Sequence, residues 1–204
     1  MSLDDLVSHP QIWRARDTES FSEVLPTGCE ELDCYLPGGG WPRNAITEIF
    51  LERYGVGELS LLMPALAELS KEERWIVWID PPFIPYAPAL TRCGVELDRV
   101  LLVHASTVKQ HALWAVEQAL RSKSSVAILA WLKTANDKAL RRLQLAAEEH
   151  ACWTVLFRPV AALQQRSPAA LRLRMYRQGG QTCLDIVKCR GQRPGTVVLR
   201  AGFL

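Results

Sequence analysis

The sequence predicts a mixed α/β domain whose sheet is mostly parallel and ends in an antiparallel edge. Three features of the chain lead there. Between residues 45 and 157, short apolar runs alternate with segments of helical period, the pattern of strand–helix–strand units. One of those runs, Ser125 to Leu132, is almost continuously apolar, as expected for a parallel strand covered on both faces. After Leu171 the period switches to two, and Gly179-Gly180 and then Pro194-Gly195 mark tight turns between strands.

The elements follow in order. Residues 1–24 are read as an N-terminal docking segment and linker, and residues 25–204 as a single domain. Within the first segment, Leu3 to Arg16 is amphipathic and broken by Pro10. Thr27 and Glu30 have the spacing of a capping box for a short helix through Cys34. Pro37-Gly38-Gly39-Gly40 predicts a tight loop with positive φ. Ala45 to Phe50 predicts a strand and Tyr54 to Gly57 a turn. Glu58 to Leu69 then predicts a helix whose buried stripe is Leu59, Leu62, Met63, Leu66 and Leu69. Further strands are expected at Arg74–Asp80, Val100–Val103, Ser125–Leu132 and Cys152–Phe157. Helices are expected at Val108–Leu120 and Asp137–Glu149, the second burying Leu140, Leu143 and Ala147. The closing meander pairs a strand from Leu171 with Thr182–Arg190 and Thr196–Arg200, one face apolar and the other basic.

Composition narrows the class of protein. At 204 residues and 49% hydrophobic content the chain can bury a full α/β core. The net charge of +2 hides an asymmetry: from Arg158 onward nine basic residues face Asp185 alone, a balance of +8, which leaves −6 for the first 157 residues. The six cysteines form no C-x-x-C pair and lie at no zinc spacing with histidine, which suits a reduced cytoplasmic protein. The acidic start, MSLDDLVSHP, is unlike a signal peptide, and no run reaches the ~18 apolar residues of a membrane helix.

The strand–turn–helix at 45–69 is where a phosphate loop would sit, because a helix N-terminus offers free N–H donors to an anion. Such a loop ends in Gly-Lys-Thr or Gly-Lys-Ser, the lysine for phosphate and the hydroxyl for Mg²⁺. Here Gly55 and Gly57 are followed by Glu58 and Leu59, a carboxylate and an apolar side chain. No Ser-His-Asp or Cys-His arrangement is available, the four histidines are scattered, and Asp80 lacks partners to hold a metal. We therefore expect no enzymatic activity and no cofactor.

The stretch TGCEELDCYLPGGGWPRNAITEI resembles the entry to the RecA ATPase core, which implies a RecA-like three-layer fold. On that resemblance the catalytic glutamate falls near Pro82 and the Walker-B aspartate on Ala130, so the nucleotide site is degenerate. Two non-catalytic families share the pattern. ITEIFLERYGVGELSLLMPAL, RWIVWID, AILAWL and VLFRPVAA resemble SulA, the division inhibitor that binds FtsZ. The resemblance to ImuA, an accessory protein of damage-induced mutagenic translesion synthesis, runs over nearly the whole chain and is the favoured one. It includes the Ile-Trp-Arg-Ala-Arg segment, LPGGGWPR and the strands after Leu171. ImuA membership implies binding to ImuB and RecA and, through ImuB, to an error-prone DnaE-type polymerase and the sliding clamp. SulA-type binding to FtsZ is the alternative.

Function is then expected on surfaces. Leu6, Ile12, Trp13, Arg14 and Arg16 are the docking candidates for RecA or for a second copy, with Trp13 as anchor. Arg172, Arg174, Arg177, Lys188, Arg190 and Arg193 are the candidates for a basic surface facing ImuB or DNA. A protein partner is favoured there, because only Tyr176 interleaves as a stacking aromatic.

Overall fold

The computed structural model describes residues 23–105, 109–190 and 194–199. The N-terminal docking candidates and Arg193 lie outside the described residues. The strands are β1 (Val24–Leu25), β2 (Trp41–Pro42), β3 (Ile46–Leu51), β4 (Trp75–Ile79), β5 (Val100–Val103), β6 (Ser125–Trp131), β7 (Trp153–Pro159), β8 (Leu171–Gln178), β9 (Gln181–Cys189) and β10 (Gly195–Leu199). The helices are α1 (Glu30–Asp33), α2 (Met63–Leu69), α3 (Ala87–Arg92), α4 (Lys109–Arg121) and α5 (Asp137–Glu149).

Eight strands form one sheet in the order β10-β9-β8-β3-β7-β6-β4-β5, and β1 pairs with β2 apart from it. Neighbours from β8 through β5 run parallel, whereas β8, β9 and β10 form the antiparallel meander. The fold is thus mixed α/β with a mostly parallel sheet. Its central strands β3 and β6 are buried along their whole length, which is why they read as apolar runs.

Each face of the sheet is covered by its own set of side chains. Leu32 of α1, Leu66 and Leu69 of α2 and Leu90 of α3 pack on one face with Trp41, Trp78, Trp131 and Trp153. Val116 and Leu120 of α4 and Leu140, Leu143 and Ala147 of α5 pack on the other. Helix α5 begins where its pattern predicts, because the Asn136 side chain accepts the Ala139 N–H at 2.8 Å and so caps the first turn. Gly179 and Gly180 both adopt positive φ, which lets the β8–β9 hairpin close in two residues.

Two expectations need correction. The capping box at Thr27 and Glu30 does not form. The Thr27 hydroxyl instead accepts the Cys29 N–H and donates to Asp33 Oδ1 at 2.6 Å, so the helix is fastened at its far end. The helix after the glycine turn begins later than Glu58: a 3-10 turn at Ser60–Leu62 leads into α2, with Pro64 in its first turn. Strand β5, expected at Val100–Val103 and found there, is the sheet's edge, and Leu101 and Leu102 are exposed on it.

All six cysteines are free, and Cys29, Cys152, Cys183 and Cys189 are buried as small apolar residues. Burial pushes the Cys152 thiol up from 9.0 to about 12. A folded pKa above the unfolded one gives stability that is complete below pH 9 and lost as the pH climbs towards 12. The largest slope one group can give is about 1.4 kcal/mol per pH unit. We expect the urea midpoint to fall above pH 9, and to fall less steeply in Cys152→Ala; equal slopes would remove Cys152 as the cause.

Candidate functional site

The glycine turn after β3 is built as an anion nest that the chain fills with its own carboxylate. Gly55 and Gly57 take φ of 77° and 96°, which curls successive N–H groups towards one point. Glu58 folds back into that concavity and is only 5% exposed. Its Oε1 accepts the Gly55 N–H at 2.9 Å, and its Oε2 accepts the Val56 N–H at 2.9 Å. Burial, together with the Glu58 charge, pushes the neighbouring Tyr54 phenol up. Leu59, at the place where a hydroxyl would meet Mg²⁺, is partly buried against the core. Two N–H donors of the turn converge, and the Glu58 carboxylate already takes both.

The other expected remnants are apolar or structural. Ala130 is fully buried in β6. Asp80, in the left-handed region with φ of 51°, accepts the Ala105 N–H at 2.7 Å, while its own N–H donates to the Val103 carbonyl. It therefore ties the ends of β4 and β5 together and presents no free carboxylate pair. Among the described residues no group of three or more His, Cys, Asp or Glu could hold a metal ion.

The basic meander is open only in part: Arg177 and Arg190 are exposed, Arg174 and Lys188 are half-buried, and Arg172 is buried. Arg172 lies inside the protein: its Nε donates to Glu48 Oε2 at 2.8 Å, and its guanidinium stacks over the Phe50 ring at 4.8 Å. The same carboxylate accepts Arg158 Nη1 at 2.6 Å, and Glu48 and Arg158 are fully buried. Arg158 Nη2 reaches on to the Ala135 carbonyl and to Gln165 Oε1, and Arg172 Nη2 to the Leu163 carbonyl. Lys188 donates to the Ser167 carbonyl at 3.0 Å, and burial followed by Arg172 and Arg190 pulls its pKa down. Arg174 pairs with Glu52, Arg177 donates to the Gly180 carbonyl, and Arg190 reaches Glu148 at 3.9 Å. These cations fasten the 163–167 strap to the sheet or brace neighbouring turns. A lone glutamate in the apolar strand ITEIFL was the signal for this cluster, since a buried carboxylate needs a cation.

Sequence reasoning also passed over an exposed apolar loop. After β4 the chain runs Pro82-Phe83-Ile84-Pro85-Tyr86, and Phe83, Ile84 and Tyr86 are 71%, 80% and 70% exposed. The run of prolines forbids these residues the strand or helix that could bury them. The loop stands at the C-terminal end of a parallel strand, the side on which α/β sheets gather their ligands.

The site is a strand–turn–helix of a mixed α/β sheet whose glycine turn holds its own carboxylate, and comparison with known proteins gives its family. A protein-family model described as "Cell division inhibitor SulA" matches residues 45–153. The cell division inhibitor SulA of Edwardsiella piscicida is 32% identical over 115 residues, 54% of this chain and 68% of that protein. Protein RecA of Petrotoga mobilis is 31% identical over 99 residues, 49% of this chain and 26% of that protein. The crystal structure of SulA from Pseudomonas aeruginosa is similar at 29% identity, covering 55% of this chain and 97% of that one, with a TM-score of 0.45. The chain belongs to the SulA family. Among the described residues no helix is long and apolar enough to cross a membrane.

Proposed function

We propose that this protein acts without catalysis, as a cytoplasmic binding protein of the DNA-damage response, and that it restrains cell division as SulA does, by binding FtsZ. The observation that carries this reading is the Phe83–Tyr86 loop, an apolar cluster exposed within the span that the SulA family model matches. Exposed aromatic residues at a strand end suit the centre of a protein interface. The self-filled nest supports the absence of ATP hydrolysis, because phosphoryl transfer needs a cation and a metal where Glu58 and Leu59 stand. We read the scaffold as a RecA-like three-layer domain on the order of its strands and the local likeness to RecA.

A second reading is ImuA-type: an accessory of SOS mutagenesis and translesion synthesis that binds ImuB and RecA, with the DnaE-type polymerase and the sliding clamp reached through ImuB. It is favoured by strands β8, β9 and β10, which lie beyond the matched span 45–153. The test is co-purification of the tagged chain with purified FtsZ, RecA and ImuB, alongside the triple variant Phe83→Ser, Ile84→Ser, Tyr86→Ser. We expect wild-type protein to retain FtsZ and to filament cells when overproduced, and the variant to lose both with an unchanged melting temperature. Retention of ImuB and RecA without FtsZ would transfer the assignment to the second reading. Undiminished binding by the variant would remove the loop from either.

A further inference from the structure

The sheet ends in a strand with one side open. Among the described residues β4 is the strand that pairs with β5, so the outer side of Val100–Val103 faces no neighbour. Val103 turns its carbonyl to β4, where the Asp80 N–H donates to it at 2.9 Å. Backbone groups alternate along a strand, so Val100 and Leu102 direct theirs outward. The Val100 N–H donates to the Leu97 carbonyl in the turn before the strand, which leaves the Val100 C=O and both groups of Leu102 on the edge. Val-Leu-Leu-Val has neither a charge nor a proline, the usual protection of an edge.

The flank of that edge is apolar and uncharged. Leu101 shares the α4 side of the sheet with its register partner Val77, and Leu102 stands on the opposite side beside Trp78. Along Leu101 runs a trough of about 300 Å³ walled by Trp75, Val77, Ala119 and Trp114, and none of its lining residues is ionisable. Trp114 is 61% exposed, although Val116 and Leu120 of the same helix are buried. A second depression, about 580 Å³, continues past the strand end beside Val103, His104, His111 and Trp114. The nearest charges in sequence, Asp98 and Arg99, precede the strand, and Arg99 lies over the Trp75 ring at 5.8 Å.

We propose that β5 takes one extended, uncharged segment of a protein partner as a ninth strand of the sheet, with alternate apolar side chains in the trough beside Trp114. The free backbone groups at strand spacing fit another extended backbone, and a trough without charge penalises a charged side chain. A second copy is the less fitting occupant. The four residues span about 13 Å, and with a layer about 10 Å deep the edge offers roughly 130 Å², far below the ~800 Å² per partner of a stable interface. So short a segment needs a partner held elsewhere, and the Phe83–Tyr86 loop supplies that hold. Asp80 accepts the Ala105 N–H and so ties the start of the loop to the end of β5. The inference rests on the protein-binding reading above and adds a second contact to it.

The probe is a fluorescein-labelled peptide, Ser-Leu-Thr-Val-Thr-Leu-Ser, titrated into the full chain and followed by fluorescence polarisation. Wild-type protein should bind it saturably. The same peptide N-methylated at its three central residues, which blocks both of its strand edges, should not bind. Leu101→Lys places a charge at the trough and Trp114→Ala removes part of its wall, and each should weaken binding about tenfold. Both residues are exposed, so the two variants should melt with wild type. The Phe83→Ser, Ile84→Ser, Tyr86→Ser variant should bind the peptide normally. Peptide binding without retention of FtsZ, RecA or ImuB would remove the partner reading and keep the edge, whereas retention without peptide binding would remove the edge. No binding, equal binding of the N-methylated peptide, or binding indifferent to both substitutions overturns the proposal. So does a dimer in sedimentation that Leu101→Lys abolishes, which would give the edge to a second copy.

Discussion

Glu48→Ala is expected to lower the melting temperature by roughly 6–20 °C. Removing one member of a buried ion pair costs about 3–5 kcal/mol, and each kcal/mol is worth roughly 2–4 °C in a domain of this size. The loss is large because Glu48 is the shared counter-ion of Arg158 and Arg172, and both guanidiniums would stay behind in the sheet. The strap at 163–167 hangs from the same two arginines, so protease cleavage there should rise in parallel. Arg174→Ala is the comparison. Its partner Glu52 is largely exposed, and such pairs contribute about 0–1 kcal/mol. Thermal melts of the two variants decide the matter: equal, small losses would mean that the Glu48 cluster is not the keystone of this end of the sheet.

Glu58→Ala is expected to do two things that pull in opposite directions. It removes a carboxylate that accepts two backbone N–H groups, bonds of a kind worth about 1.5–3 kcal/mol each before water replaces part of them. The variant should therefore melt lower than wild type. It also empties a preformed concavity whose donors still point inward, because Gly55 and Gly57 keep their positive φ. Inorganic phosphate should then stabilise the variant and leave wild type unaffected, since a ligand that binds only the folded state raises its melting temperature. A phosphate response identical in both proteins would show that the carboxylate does not occupy the nest.

The sheet was legible because its strands are extreme in composition. The runs at Ile46–Leu51, Trp75–Ile79 and Ser125–Trp131 have no other place than a covered sheet, and helix α5 announced itself with Asn136 before a clean apolar stripe. Details that depend on one side chain choosing between partners were not legible. Thr27 had Glu30 at capping-box spacing yet took Asp33, because the helix is a single turn and its C-terminal aspartate comes within reach. Arg172 alternated like a solvent-facing residue, but its register beside Glu48 in β3 turns it inward, and register across a parallel pair is not written locally. Glu58 was read as the carboxylate standing where a phosphate loop has its lysine. Sequence could not say that its side chain folds back onto the Gly55 and Val56 N–H groups. Trp114 lies one position off its helix's buried stripe, a signal that was present and not used.

The most direct test of the whole account is a calorimetric titration of magnesium–ATP into the wild-type chain. With the Glu58 carboxylate in the nest and Leu59 in place of a metal-binding hydroxyl, the titration should give only heats of dilution, with and without magnesium. Saturable, magnesium-dependent uptake of ATP by the unaltered protein would contradict it.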